Sequence, residues 1–125
     1  MKLECTTDEI NNYLNKMKKY ISISDSNLEY ISIRDKNFIF KYLYGLTKSM
    51  VRDILLSLKP DEFYEKIEAV DDKHKGRILY VWNPIRSFVD ARGEEREIEL
   101  YIKTDIYYSK KLVVVISFHK FNDFD

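Results

Sequence analysis

Tyr101 and Lys103 alternate along one extended run, and Ser117 and His119 alternate along the next. Their types and spacing could do chemistry. An unperturbed imidazole titrates near pH ~6.5, so His119 can take or give a proton near neutrality. A phenol can orient a substrate or donate a proton, and an ammonium can hold phosphate. Metal-free RNA cleavage asks for little more. It needs a base for a ribose 2′-hydroxyl, cations for a phosphorane-like transition state, and an acid for the leaving 5′-oxygen. His119, Tyr101 and Lys103 are therefore the candidate catalytic residues, with Arg86 and Lys120 as candidate phosphate holders. The competing reading is a solvated sheet face, which many inert proteins present with the same residue types.

Other chemistries find less support. The chain has no phosphate-binding Gly-rich loop, no HExxH, no CxxC and no GxSxG. Two histidines and one cysteine are too few for an obvious zinc site, so no metal is expected. Three glycines cannot supply a dinucleotide fingerprint, and no cofactor is implied. Cys5 is alone and cannot form an internal disulfide. No signal peptide and no apolar run of membrane-spanning length are seen, so the expectation is a cytoplasmic protein without a membrane partner.

Charge balances at 21 basic and 21 acidic residues, which counts against a dedicated nucleic-acid binder. One stretch departs from this. No acid lies between Asp72 and Asp90, while Lys73, Lys75, Arg77 and Arg86 do. Arg77 joins the candidate substrate-binding residues on that ground, against the plainer reading of a solvated turn and strand rim. The ten tyrosines read mostly as half-buried amphipathic residues, with Tyr107-Tyr108 as an exposed pair in a turn.

The elements that must position these groups follow from period. Thr6 and Glu9 match a capping box, and Ile10, Tyr13, Leu14, Met17 and Ile21 recur at helical spacing. Tyr30 to Ile33 alternates weakly and predicts a short edge strand or an extended arm. Asn37 is the expected cap of a second helix ending at Tyr44, with Gly45 as its left-handed stop. Thr47 caps a third, which Lys59-Pro60 ends. The period then changes. Arg77 to Trp82 reads as a strand, Ile85 to Glu95 as a loop, Glu97 to Asp105 as a strand, and Leu112 to His119 as the last strand. A short turn makes the last two an antiparallel hairpin. If Ile98, Leu100 and Ile102 face the helices, the bulkier set Leu112, Val114, Ile116 and Phe118 should too. Ser117 and His119 then fall on the opposite face beside Tyr101 and Lys103. The expected class is α+β, N-terminal helices packed on a small twisted antiparallel sheet. One domain is expected over 1–125, with an N-terminal helix and arm over about 1–35 and a core over 36–125.

Several short segments, in order, resemble the motility quorum-sensing regulator (MqsR) toxins. They are residues 54–66 (ILLSLKPDEFYEK), Val81-Trp82-Asn83-Pro84, Glu99 to Lys103, and Val115 to Phe118. Arg34 to Asn37 and Gly45-Leu46-Thr47 fit more loosely. The resemblance covers roughly residues 34–120. It implies a RelE-like fold and a toxin of a type II toxin–antitoxin pair, an endoribonuclease (mRNA interferase) that cuts messenger RNA without a metal and is silenced by a cognate antitoxin. By position, Tyr101 matches a tyrosine implicated in the family's site, and His119 stands where the type member has lysine. The family's lysine after Phe-Tyr is Glu65 here, with Lys66 one place on as a candidate substrate-binding residue. Leu79 stands at a family glutamine. The first helix lies outside the resemblance and reads as an added cover or an oligomer contact, a homodimer included. The alternative is a non-catalytic protein-interaction module that keeps the RelE-like scaffold.

Overall fold

A computed structural model describes residues 2–71 and 73–123. Met1, Asp72, Phe124 and Asp125 lie outside the described residues, so the acid-free run is seen only from Lys73 onward.

Helix α1 spans Thr7–Ile23 and begins as its sequence predicts. The Thr6 hydroxyl accepts from the Glu9 N–H, and the Glu9 carboxylate accepts from the Thr6 N–H. Helix α2 spans Asp35–Tyr44 and ends at Gly45, whose φ of 61° is left-handed. Helix α3 spans Lys48–Ser57, with the Thr47 hydroxyl accepting from the Met50 N–H. No helix among the described residues is long and apolar enough to cross a membrane.

The described residues form seven strands: β1 (Lys2–Leu3), β2 (Leu28–Tyr30), β3 (Phe63–Glu68), β4 (Ile78–Trp82), β5 (Ile85–Val89), β6 (Glu95–Tyr107) and β7 (Leu112–Lys120). Their order is β1-β3-β4-β6-β7-β2, with β5 pairing the first half of β6. The class is mixed helix and sheet as expected, but the sheet is larger than expected. It is not wholly antiparallel either, since β2 runs parallel to β7. That strand lies at Leu28–Tyr30, a little before the alternation at 30–33 that pointed to it.

Residues 85–89, read as loop, are a strand. Only Phe88 of β5 is buried, so its sequence lacks a two-sided alternation. The antiparallel ladder with β6, Ile85 opposite Glu99 through Val89 opposite Glu95, makes the strand.

The main core lies between the helices and one sheet face. It gathers Tyr13, Met17 and Ile21 of α1, Val51 and Leu55 of α3, and Trp82, Leu100, Ile102, Val115 and Phe118 of the sheet. Burying each such side chain stabilises by roughly 1.5–3 kcal/mol. Thr104 is the polar node of this core. Its hydroxyl donates to the Tyr80 carbonyl and accepts from the Trp82 indole N–H and the Tyr13 hydroxyl. A second, smaller cluster lies on the other face, around Ala69, Leu79, Val114 and Ile116. Leu79 is thus a packed core residue.

The hairpin of β6 and β7 carries a register shift. Tyr101 pairs His119 and Lys103 pairs Ser117, but Thr104 pairs Val115. Ile116 is the extra residue, and beyond it the faces of β7 exchange. Phe118 faces the helices as expected, but Val113 and Val115 do so in place of Leu112, Val114 and Ile116. The expected face therefore holds only on the C-terminal side of the bulge, where the candidate site lies.

Candidate functional site

The three candidate catalytic residues meet Ser117 where β6 and β7 pair. Tyr101 and His119 sit opposite each other with rings 5.2 Å apart and 17° from parallel. Lys103 pairs Ser117 one step further, and its ammonium lies 5.7 Å from the Tyr101 ring. Tyr101, Ser117 and His119 are buried among their neighbours. They line a pocket of about 640 Å3, and its far wall is Arg34, Asp35, Lys36 and Asn37 at the start of α2.

The wall is set in place by Asn37. Strand β2 covers the edge of β7 only as far as Val115. Beyond it, the Asn37 side chain takes over. Its amide donates to the Ile116 carbonyl (2.8 Å) and the Ile31 carbonyl (2.7 Å), and its oxygen accepts from the Phe118 N–H (2.8 Å). Asn37 is therefore not the helix cap that its type suggests. Arg34 occupies that position and makes no side-chain cap bond.

The surroundings bias each group. Burial, then the Glu65 carboxylate, pushes the Tyr101 phenol up to about 12, so it stays protonated at neutral pH. Burial, then the Arg34 guanidinium, lowers the Lys103 ammonium below the usual lysine range. Nδ1 of His119 lies 2.8 Å from the Lys120 carbonyl. A carbonyl can only accept, so Nδ1 carries the proton and the neutral ring keeps its lone pair on Nε2. Aromatic surface continues outward, with Phe121 6.2 Å from Tyr101 and 5.0 Å from Tyr64.

The expected substrate-binding cations lie elsewhere. Lys66 is on the helix-facing side of β3 and pairs Glu9 at 2.7 Å. Glu65, its neighbour, is on the site side, in line with Val81, Lys103 and Ser117. Arg77 forms a two-pronged ion pair with Asp105 and covers the Tyr107 ring at 4.1 Å. Arg86 pairs Glu62 and reaches Ser57. Lys120 lies 5.6 Å over the Tyr44 ring, and its pairing with Leu100 places it on the helix-facing side. None of the four lines the pocket. The cations that do line it with Lys103 are Arg34 and Lys36, which the amino-acid sequence offered only within the loosely fitting run Arg34 to Asn37. No local signal marked them, because the residue whose type suits a cap, Asn37, lies three positions further on.

Among the described residues, no three His, Cys, Asp or Glu side chains come together as a metal-binding group. Compared with protein-family models the chain matches none, and comparison with curated protein sequences gives no match either.

Proposed function

We propose that this protein is a metal-independent endoribonuclease that cuts RNA by attack of a ribose 2′-hydroxyl on the adjacent phosphate. The observation that supports it most is the pairing of His119 with Tyr101 beside Lys103 in one pocket. His119 Nε2 takes the proton of the 2′-hydroxyl. The 2′-oxygen bonds to phosphorus and the bond to the 5′-oxygen breaks, leaving a 2′,3′-cyclic phosphate and a 5′-hydroxyl. The lowered Lys103 ammonium gives its proton to the leaving oxygen more readily than an ordinary lysine. Tyr101, held protonated, donates a hydrogen bond to the phosphorane oxygens. Phe121 and Tyr64 offer faces on which bases can stack.

The resemblance to MqsR toxins extends the proposal. The scaffold is RelE-like, the substrate is messenger RNA, and a cognate antitoxin holds the enzyme silent in the cytoplasm. The test is RNA incubated with purified protein and a chelator. Cleaved products ending in cyclic phosphate and 5′-hydroxyl are expected, and His119→Gln should form them far more slowly. Intact RNA after incubation with the well-folded wild type would sink the reading.

One observation favours the second reading, a non-catalytic interaction module. Helix α2 turns Phe38, Ile39, Tyr42 and Leu43 outward, with Tyr42 80% exposed. In that case RNA stays intact, and Tyr42→Glu, but not His119→Gln, abolishes partner capture.

A further inference from the structure

Arg34 and Lys103 are two cations facing one pocket. Arg52, Lys66, Arg77, Arg86 and Arg96 all make ion pairs, and Arg34 and Lys103 make none among the described residues. Burial, and after it the like charge of the guanidinium, lowers the pKa of the ammonium, against the opposing charges of Asp71 and Glu65. The nearby acids Asp35, Glu65 and Asp71 pair with neither.

A third group points the same way. Ser117 is 4% exposed as a residue and lines the pocket, and its hydroxyl is not among the buried side-chain atoms left without a partner, so it is open to the pocket rather than sealed in the core. A hydroxyl so placed can donate to an acceptor that enters the pocket. The fourth feature is the N-terminal end of α2, ten residues long, whose N-cap side chain makes no cap bond. Such an end carries partial positive charge and favours anions. Two cations without an ion pair, a hydroxyl open to the pocket and a helix N-terminus converge on one space, and each is stabilised by the same kind of occupant.

We propose that this pocket is a phosphate-binding site in which the Arg34 guanidinium, the Lys103 ammonium, the Ser117 hydroxyl and the N-terminal end of α2 share one oxyanion. It rests on the proposed function only in taking that phosphate from a nucleic-acid backbone. The assignment gives α2 a recognition role that the candidate catalytic residues do not supply.

The test titrates inorganic phosphate, and separately a 2′-deoxy oligonucleotide that cannot be cut, into the full chain while backbone amide resonances are followed. Saturable shifts confined to residues 34–37 and 117–119 are expected with both probes. Arg34 is exposed, so Arg34→Ala should fold normally and bind each probe at least about tenfold more weakly. Ser117→Ala should weaken binding in the same direction. Shifts from the oligonucleotide alone keep the site and assign it to the nucleic-acid backbone. Shifts from inorganic phosphate alone keep the site and assign it to free phosphate. Shifts scattered over surface lysines, or equal binding by Arg34→Ala, would overturn the site. If both probes bind as expected while RNA stays uncut, the nuclease reading fails and the phosphate site stands.

Discussion

His119 and Tyr101 are stacked and buried, so their roles can be separated by changes that keep their shape. His119→Gln retains volume and loses the base, and its cleavage rate should fall by about 10²- to 10⁴-fold. Tyr101→Phe keeps the stack and loses one donor, for an expected loss of about 10²-fold. Unchanged melting temperatures beside these rates would place the loss in the chemistry. Lys103 has a second consequence. Its folded pKa is lowered, so the folded state binds fewer protons than the unfolded one between the lowered value and the usual lysine range. The stability this confers is present above the unfolded pKa and lost as pH falls through the folded pKa. At neutral pH the charged ammonium is therefore held at a cost. Lys103→Met should melt at a higher temperature than wild type near pH 7, with the gap narrowing as pH rises toward the ordinary lysine pKa. It should also lose cleavage. A variant less stable than wild type at pH 7 would contradict this account of Lys103.

At the scale of elements, the site depends on how β7 ends its pairing. Strand β2 stops opposite Val115, Ile116 bulges, and the Asn37 side chain bonds the exposed edge. One residue thereby joins α2, the bulge and the strand that carries Ser117 and His119. Asn37→Ala would leave the Phe118 N–H and the Ile116 carbonyl without this partner at a buried position, and the Ile31 carbonyl without it at a part-buried one. At roughly 1–3 kcal/mol for each unmet group, a loss of about 3 kcal/mol or more is expected. Asn37→Asp should also destabilise, because a carboxylate cannot donate to the carbonyls of Ile31 and Ile116. Urea denaturation of both variants checks this, and a change below about 1 kcal/mol in either would remove Asn37 from this role. Elements with local signals are legible in the amino-acid sequence. The capping box at Thr6 and Glu9, the Gly45 stop and the Thr47 cap each depend on residues within four positions. Strand β5 and the parallel pairing of β2 are not, because their hydrogen bonds are made with residues distant in the chain.

The whole molecule is a sheet with unequal faces. Helices α1 and α3 bury one face, while the other carries a small apolar cluster and then the polar row of Lys103, Ser117, Tyr101 and His119. Tyrosines line both faces, and burial raises several of them. Tyr30 and Tyr101 are pushed up to about 12, and Tyr13 and Tyr80 are raised further. A raised folded pKa contributes stability below the unfolded value of ~10, and that stability is lost as pH rises through the folded value. These phenols should therefore ionise together with unfolding between about pH 10 and 12. Tyrosinate absorbance and circular dichroism should show the coincidence, and ionisation of all tyrosines near pH 10 in a still-folded protein would refute it. What the sequence alone determined was the helix-then-sheet order, the final hairpin, and the meeting of Tyr101, Lys103, Ser117 and His119. Alternation and a short turn are local properties, and on the C-terminal side of the bulge they hold. Only the tertiary structure decided that β7 exchanges faces at Ile116, that Lys66, Arg77, Arg86 and Lys120 serve other partners, and that Arg34 completes the pocket. A cation's partner is chosen by what folding brings within ~4 Å of it, and sequence spacing carries no record of that distance.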